Sequence, residues 1–274
     1  MRLLLISLLA LGLCGCSSTG RTHPQPDTAG QRGDEGTLTP EASYRRGMEL
    51  RDANEFDDAR RYMLSAAERG HAEAQFELGL WYMTGNRGVP VDFNQAALWV
   101  EKAAETGQRD ALTYIWQLYF FGKGVGQSDA KAYAWLQRSA GTGDPEASYR
   151  LGLFHYEGIA TPEDHAEAAV WFLDAADSGV PGACYYLGVM HLDGDGVQQS
   201  DEDAFYWFER GAAADHPASM LAMGDLYQDG RGVEKNTEQA KSWYRKAFAQ
   251  DTNPEVQIAA EERLKQLEAN DEPH

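Results

Sequence analysis

Five of the seven tryptophans, Trp99, Trp135, Trp171, Trp207 and Trp243, stand on a grid of 36 residues. A fixed period of this length marks one supersecondary unit repeated along the chain. Such a unit cannot bury its apolar face alone, so neighbouring units must stack. Other residues keep the same step. A small residue recurs at Ala74, Ala111, Ala147, Ala183 and Ser219, and four positions later come Leu78, Ile115, Leu151, Leu187 and Met223. Gly79, Trp116, Gly152, Gly188 and Gly224 follow, then a turn glycine at Gly85, Gly122, Gly158, Gly194 and Gly230. A Gly-Val pair closes the loop at Gly88-Val89, Gly124-Val125, Gly196-Val197 and Gly232-Val233. The first loop holds one extra residue, so its early positions lie 37 before the next repeat.

Each unit reads as two helices. The first runs from the small residue to just before the turn glycine, with apolar residues at i, i+4, i+7 and i+8. The second carries the tryptophan and ends in small pairs such as Ala103-Ala104 and Ala175-Ala176, with breaks at Gly107, Gly143 and Gly179. This pattern resembles the Sel1-like repeat, a relative of the tetratricopeptide repeat with a longer, glycine-bearing loop. The resemblance covers roughly residues 72–250 and is fullest over Ala74 to Gly107 and Ser219 to Phe248. It implies an all-α, right-handed α-α solenoid. The departures are local. Trp116 replaces a glycine, and Ala160-Thr161 replaces Gly-Val, which predicts a reshaped third loop. Asp215 and Asp251 replace the closing glycine.

The expected organisation is a signal peptide over 1–15, a tether over 16–40, a TPR-like unit over 41–71, five Sel1-like repeats over 72–252 and a cap over 253–274. In the TPR-like unit, Ala42, Gly47, Phe56, Ala59, Tyr62, Ala66, Ala67 and Gly70 carry the resemblance, with a tight turn near Asn54. The cap starts at Pro254, with Ile258, Leu264 and Leu267 on its apolar face and Glu255, Glu261, Glu262 and Lys265 outside. Arg2 and the apolar run Leu3 to Leu13 have the length of a signal-peptide core and fall short of the roughly 20 residues that span a bilayer. Leu13-Cys14-Gly15-Cys16 resembles the bacterial lipoprotein signal, which makes Cys16 the acylated N-terminus. Ser17, where an Asp would signal inner-membrane retention in that family, implies an outer-membrane lipoprotein facing the periplasm. From Ser17 to about Pro40 the glycines, prolines and scattered charges read as a flexible tether with ends about 25–30 Å apart.

The formal net charge is -19, and loss of residues 1–15 with Arg2 makes it -20. Such a charge opposes binding to nucleic acid or flat contact with an anionic membrane, and favours a basic protein partner. With Cys16 acylated, Cys184 stands alone and reads as a small buried helix residue.

A solenoid binds on its extended concave surface, which the resembling families line with first helices. Subtracting the repeating positions leaves variable residues at the third, sixth, ninth and tenth places after the small residue. These predict an apolar groove of Leu80, Tyr114, Phe120, Phe121, Leu153, Tyr156, Tyr186 and Leu192, with an acidic end at Asp225 and Asp229. Aromatic residues dominate interface hot spots.

Catalytic signals are weak. His155 and His191 lie 36 apart, but their column also holds Tyr82, Tyr119 and Tyr227, so it reads as packing. Asp193-Gly194-Asp195-Gly196 lacks the spacing of a calcium loop. Ser128-Asp129-Ala130-Lys131 matches the Ser-x-x-Lys of penicillin-binding enzymes without a Lys-Thr-Gly. No enzyme activity, cofactor, metal or small-molecule substrate is expected. The resemblance implies an envelope scaffold or adaptor. The alternative is an immunity protein that neutralises a toxic, basic envelope enzyme.

Overall fold

The computed structural model describes residues 37–85, 88–250 and 253–271. The expected signal peptide, acylated Cys16, tether up to residue 36 and Asp251 lie outside these residues. The described residues form thirteen helices and no strand: α1 (Pro40–Asp52), α2 (Phe56–Glu68), α3 (Ala72–Thr84), α4 (Phe93–Glu105), α5 (Arg109–Phe121), α6 (Asp129–Ala140), α7 (Pro145–Tyr156), α8 (His165–Asp177), α9 (Pro181–Asp193), α10 (Asp201–Ala213), α11 (Pro217–Asp229), α12 (Thr237–Ala249) and α13 (Pro254–Asp271). They pair as hairpins from α1–α2 to α11–α12, and each hairpin packs on the next. The expected all-α solenoid is the fold observed. The turn near Asn54 joins α1 to α2, with Asn54 at φ 63°.

The helix starts are written locally. Asp92, Ser128, Asp164, Ser200 and Asn236 precede the second helices at 36-residue spacing, and each side chain accepts a first-turn N–H. Such caps are worth about 1 kcal/mol each. The Ser-x-x-Lys match is one of them, since Ser128 Oγ accepts from the Lys131 N–H at 3.3 Å. First helices start two residues before their small residue, with proline opening α7, α9 and α11.

Within a hairpin the two helices meet at the glycine column. A Cβ on Gly79, Gly152 or Gly188 would stand 2.5 Å from Val100, Phe172 or Phe208. The second repeat trades bulk across this contact: buried Trp116 replaces the glycine, and buried Leu136 stands where the three later repeats have Phe172, Phe208 and Tyr244. Close packing of this kind makes one methylene matter.

Between hairpins, each loop rests on the start of the previous repeat's second helix. A Cβ on Gly196 would collide with the backbone of His165, the first residue of α8, and one on Gly124 or Gly232 would come closer still to Phe93 or Asp201. The third loop keeps this shape, contrary to expectation. Ala160 adopts φ 62° beside the 71° of Gly196, so the substitution is absorbed as backbone strain. Arginines add further ties. Arg138 donates to the Ala104 and Glu105 carbonyls at 3.2 and 3.3 Å, and Arg210 donates to Ala176 O at 3.0 Å.

The cap departs from expectation in its register. Ile258 is 59% exposed, and Val256, Ala260 and Leu267 are the buried residues, with Leu264 partly buried beside them. The ion pair of Arg263 with Asp225 fixes that rotation of α13.

Two predictions follow from local geometry. Ala160→Gly relieves the left-handed strain and raises stability by about 1 kcal/mol, whereas Gly196→Ala lowers it by more, because strain and collision add; urea midpoints read both. His216 Nδ1 accepts the Ser219 N–H at 3.3 Å, and burial pushes this imidazole down to about 4. The unfolded chain therefore takes up its proton near the ordinary histidine value while the folded chain does not. Stability is fully present above about pH 6.5 and falls as pH drops towards 4. His216→Gln, which restores the capping residue seen at Gln108, flattens that slope in urea titrations across pH.

Candidate interaction surface

The predicted groove residues separate into two groups. Tyr114 is 41% exposed, and Leu80, Phe121, Tyr156, Tyr186 and Leu192 are half-buried. Phe120 and Leu153 are each 4% exposed and belong to the core, which corrects their assignment to the groove. Phe120 is enclosed by the rings of Trp116, Phe121 and Phe154 at 6.1, 5.1 and 5.6 Å. Leu153 lies on α7, where every residue from Ala147 to His155 is buried. A central first helix is covered by both neighbouring repeats, so positions that are peripheral elsewhere become interior there.

The half-buried aromatic side chains form a connected group. Tyr186 stacks on Phe172 at 4.9 Å and meets Tyr156 edge-on at 5.4 Å; Tyr156 stacks on His165 at 4.6 Å. His165 also pairs with Asp195 of the next loop, and its Nε2 lies 3.1 Å from the Tyr156 carbonyl. The Asp195 carboxylate raises the His165 pKa above its ordinary range, which favours the imidazolium in this position. Burial raises the Tyr156 and Tyr186 phenols, so both remain neutral donors at physiological pH. Tyr114 meets Phe76 of the preceding repeat at 5.6 Å. The surface is thus a run of aromatic side chains whose rings contact one another and the core.

At the C-terminal end, Leu192, Ala222, Asp225, Gln228 and Asp229 line one cavity of about 550 Å³ with Arg231, Glu262, Arg263 and Gln266. The variable positions of the last first helices therefore do converge on a concave site. Its charge differs from the expected acidic end. Arg263 binds Asp225 through two contacts of 2.5 and 3.1 Å, and Tyr244 donates to the same carboxylate at 2.7 Å. Arg231 reaches Asp201 at 2.7 Å. Asp225 holds the cap in place, and Asp229 is the exposed carboxylate of the pair. Sequence spacing offers no signal for Arg263, because the contact joins residues 38 apart across the repeat boundary.

The remaining chemical candidates have structural partners. His155 Nε2 lies 3.0 Å from the Tyr133 hydroxyl, and His191 Nδ1 lies 3.1 Å from the Gln198 carbonyl. Among the described residues no group of His, Cys, Asp and Glu side chains suits a metal. Cys184 is buried on α9, and burial raises its thiol pKa.

The Sel1 repeat model matches residues 41–71, 72–107, 117–144, 145–180, 181–216 and 217–251, and the chain belongs to this family. The match includes the first unit, which makes six repeats where the sequence reading separated a TPR-like unit from five. It omits residues 108–116, which end at Trp116, where the second repeat departs from the pattern. Among solved structures, the chain is similar to a protective antigen of uropathogenic Escherichia coli with an SLR fold, at 26% identity and TM-score 0.70 over 83% of this chain and 53% of that one. It thus spans about half the length of that antigen. It is also similar to a Sel1 repeat protein from Oxalobacter formigenes, at 30% identity and TM-score 0.66, covering 85% of this chain and 67% of that one. No curated protein matches the chain significantly. The Sel1 fold is typical of protein–protein interaction.

The division between surface and core is measurable. Phe120→Ala lowers stability by about 3–5 kcal/mol, while Tyr114→Ala changes it by about 1 kcal/mol or less, as read from thermal and urea unfolding. Equal losses would place Tyr114 in the core.

Proposed function

We propose that the chain is a non-enzymatic scaffold or adaptor of the bacterial envelope, which holds a protein partner on its first-helix surface. The observation that carries this reading is the strip of partly exposed aromatic side chains at Tyr114, Phe121, Tyr156 and Tyr186, continued by the concave end around Asp229. These rings occupy variable positions of otherwise repeating helices, and the fold does not require aromatic side chains at every such place. Partly exposed apolar surface of this kind marks binding sites. The Leu13-Cys14-Gly15-Cys16 segment supports acylation at Cys16, and Ser17 after it supports tethering to the outer membrane on the periplasmic side. Two acyl chains or more make such an anchor stable.

The test is purification of the full-length chain, with its interaction partners, from a native envelope. One dominant protein that copurifies with the wild-type chain is lost with Tyr114→Ala/Tyr156→Ala, while the variant keeps its helicity and its membrane fraction. Cys16→Ser releases the chain from the membrane fraction without loss of the repeat fold. A partner that is a toxic enzyme encoded beside this chain would favour an immunity role, and an envelope-complex subunit would favour the scaffold. Retention of every partner by the double variant contradicts the proposed surface.

A further inference from the structure

The outer faces of the second helices carry a second regular device. Four of the repeat tryptophans lie under a cation three residues on: Lys102 over Trp99 at 4.3 Å, Arg138 over Trp135 at 4.5 Å, Arg210 over Trp207 at 5.0 Å and Lys246 over Trp243 at 3.8 Å. The third repeat breaks the column. Asp174 stands where the others have Lys or Arg, and among the described residues no cation lies over Trp171. The same repeat breaks a second column. Leu173 stands where the other four carry Glu101, Gln137, Glu209 and Arg245.

These departures are exposed and adjacent. Val170 and Leu173 are 60% and 44% exposed, and Trp171 between them is half-buried. Val170 and Leu173 line a cavity of about 390 Å³ whose far wall is Trp207 and Val197. Glu167 and Asp174 lie three residues before and four after Val170, on its face of α8; both are exposed, and neither has an ion-pair partner among the described residues. Glu202 and Glu209 flank exposed Tyr206 in the same way on α10. Arg210, which lies over Trp207, is engaged with Asp177 and the Ala176 carbonyl.

We infer that the α8–α10 outer face docks a basic amphipathic segment of a protein partner, whose Lys or Arg takes the missing cation's place over Trp171 beside Asp174 and whose apolar side chain enters the Val170–Leu173–Trp207 cavity. The occupant is fixed by charge. An anionic lipid surface or a second copy of this acidic chain meets repulsion there, whereas a cation gains the indole face and the carboxylates together. This surface is built mainly from second helices, with Leu187 and His191 of α9 and Val197 of the following loop at the base of its cavity, and it uses none of the residues of the first-helix strip.

The experiment uses the full chain in detergent and a fluorescein-labelled helical peptide with leucines on one face and lysines on the other. A second peptide has glutamate for every lysine. The lysine peptide binds and the glutamate peptide does not. Asp174→Arg, which installs the cation of the other repeats, and Leu173→Gln, which copies the second repeat, each weaken binding by about tenfold. Both keep the far-UV spectrum, since each copies a residue that the fold already accepts. Glu255→Arg, an equal change of charge on the exposed side of α13, leaves affinity within about twofold. Unchanged affinity in Asp174→Arg and Leu173→Gln overturns the proposal, as does an equal loss in Glu255→Arg. So does a dimer in sedimentation that Leu173→Gln dissolves and the lysine peptide fails to displace.

Discussion

The stack depends on the contact, in four of the five 36-residue repeats, between a glycine on the first helix and a large ring or branched chain on its partner. Gly79, Gly152, Gly188 and Gly224 let the helices approach until Val100, Phe172, Phe208 and Tyr244 fill the space a Cβ would need. Everything else follows from that spacing. The hairpins become thin enough to repeat every 36 residues, the loops reach the start of the previous second helix, and the first helices form one surface. Because each repeat borrows burial from its neighbours, the middle of the array is its most buried part. Helix α7, with nine consecutive buried residues from Ala147 to His155, is the clearest case. The ends need other means. The Asp225–Arg263 pair supplies one by fixing α13 over the last hairpin.

Repetition also separates what the fold requires from what it allows. A column that holds in every repeat serves stability: the second-helix caps from Asp92 to Asn236, the glycines and the small residues. A column broken once, at an exposed place and without a structural substitute, is free for recognition. Trp116 does not meet that condition, because Leu136 makes room for it. Ala160 does not meet it either, because the loop keeps its path with φ 62°. The α8 outer face does meet it, and the aromatic side chains of the first helices stand at places that vary from repeat to repeat.

The period, the hairpins and the glycine loops were legible in the sequence, because each rests on contacts that recur at fixed spacing. The burial of Phe120 and Leu153 was not. A helix places side chains at the edge of its apolar stripe, and only packing against the adjoining helices decides whether a neighbour covers them. The register of α13 was hidden for a similar reason: Ile258 and Val256 are equally apolar, and the distant Asp225 selects between them. The cap column was visible as Asp, Ser, Asp, Ser and Asn every 36 residues, yet one member read as part of a catalytic match. Comparing it with its four counterparts settles its role.

The central claim is that partners are held by the first helices. Photocrosslinking in the native envelope tests it most directly, with the photoreactive residue placed at Phe121 or at Leu98, an exposed second-helix position. The account predicts one dominant protein adduct from Phe121, lost with Tyr156→Ala, and none of that protein from Leu98. Adducts of equal yield from both positions, or no specific adduct from Phe121, would contradict it.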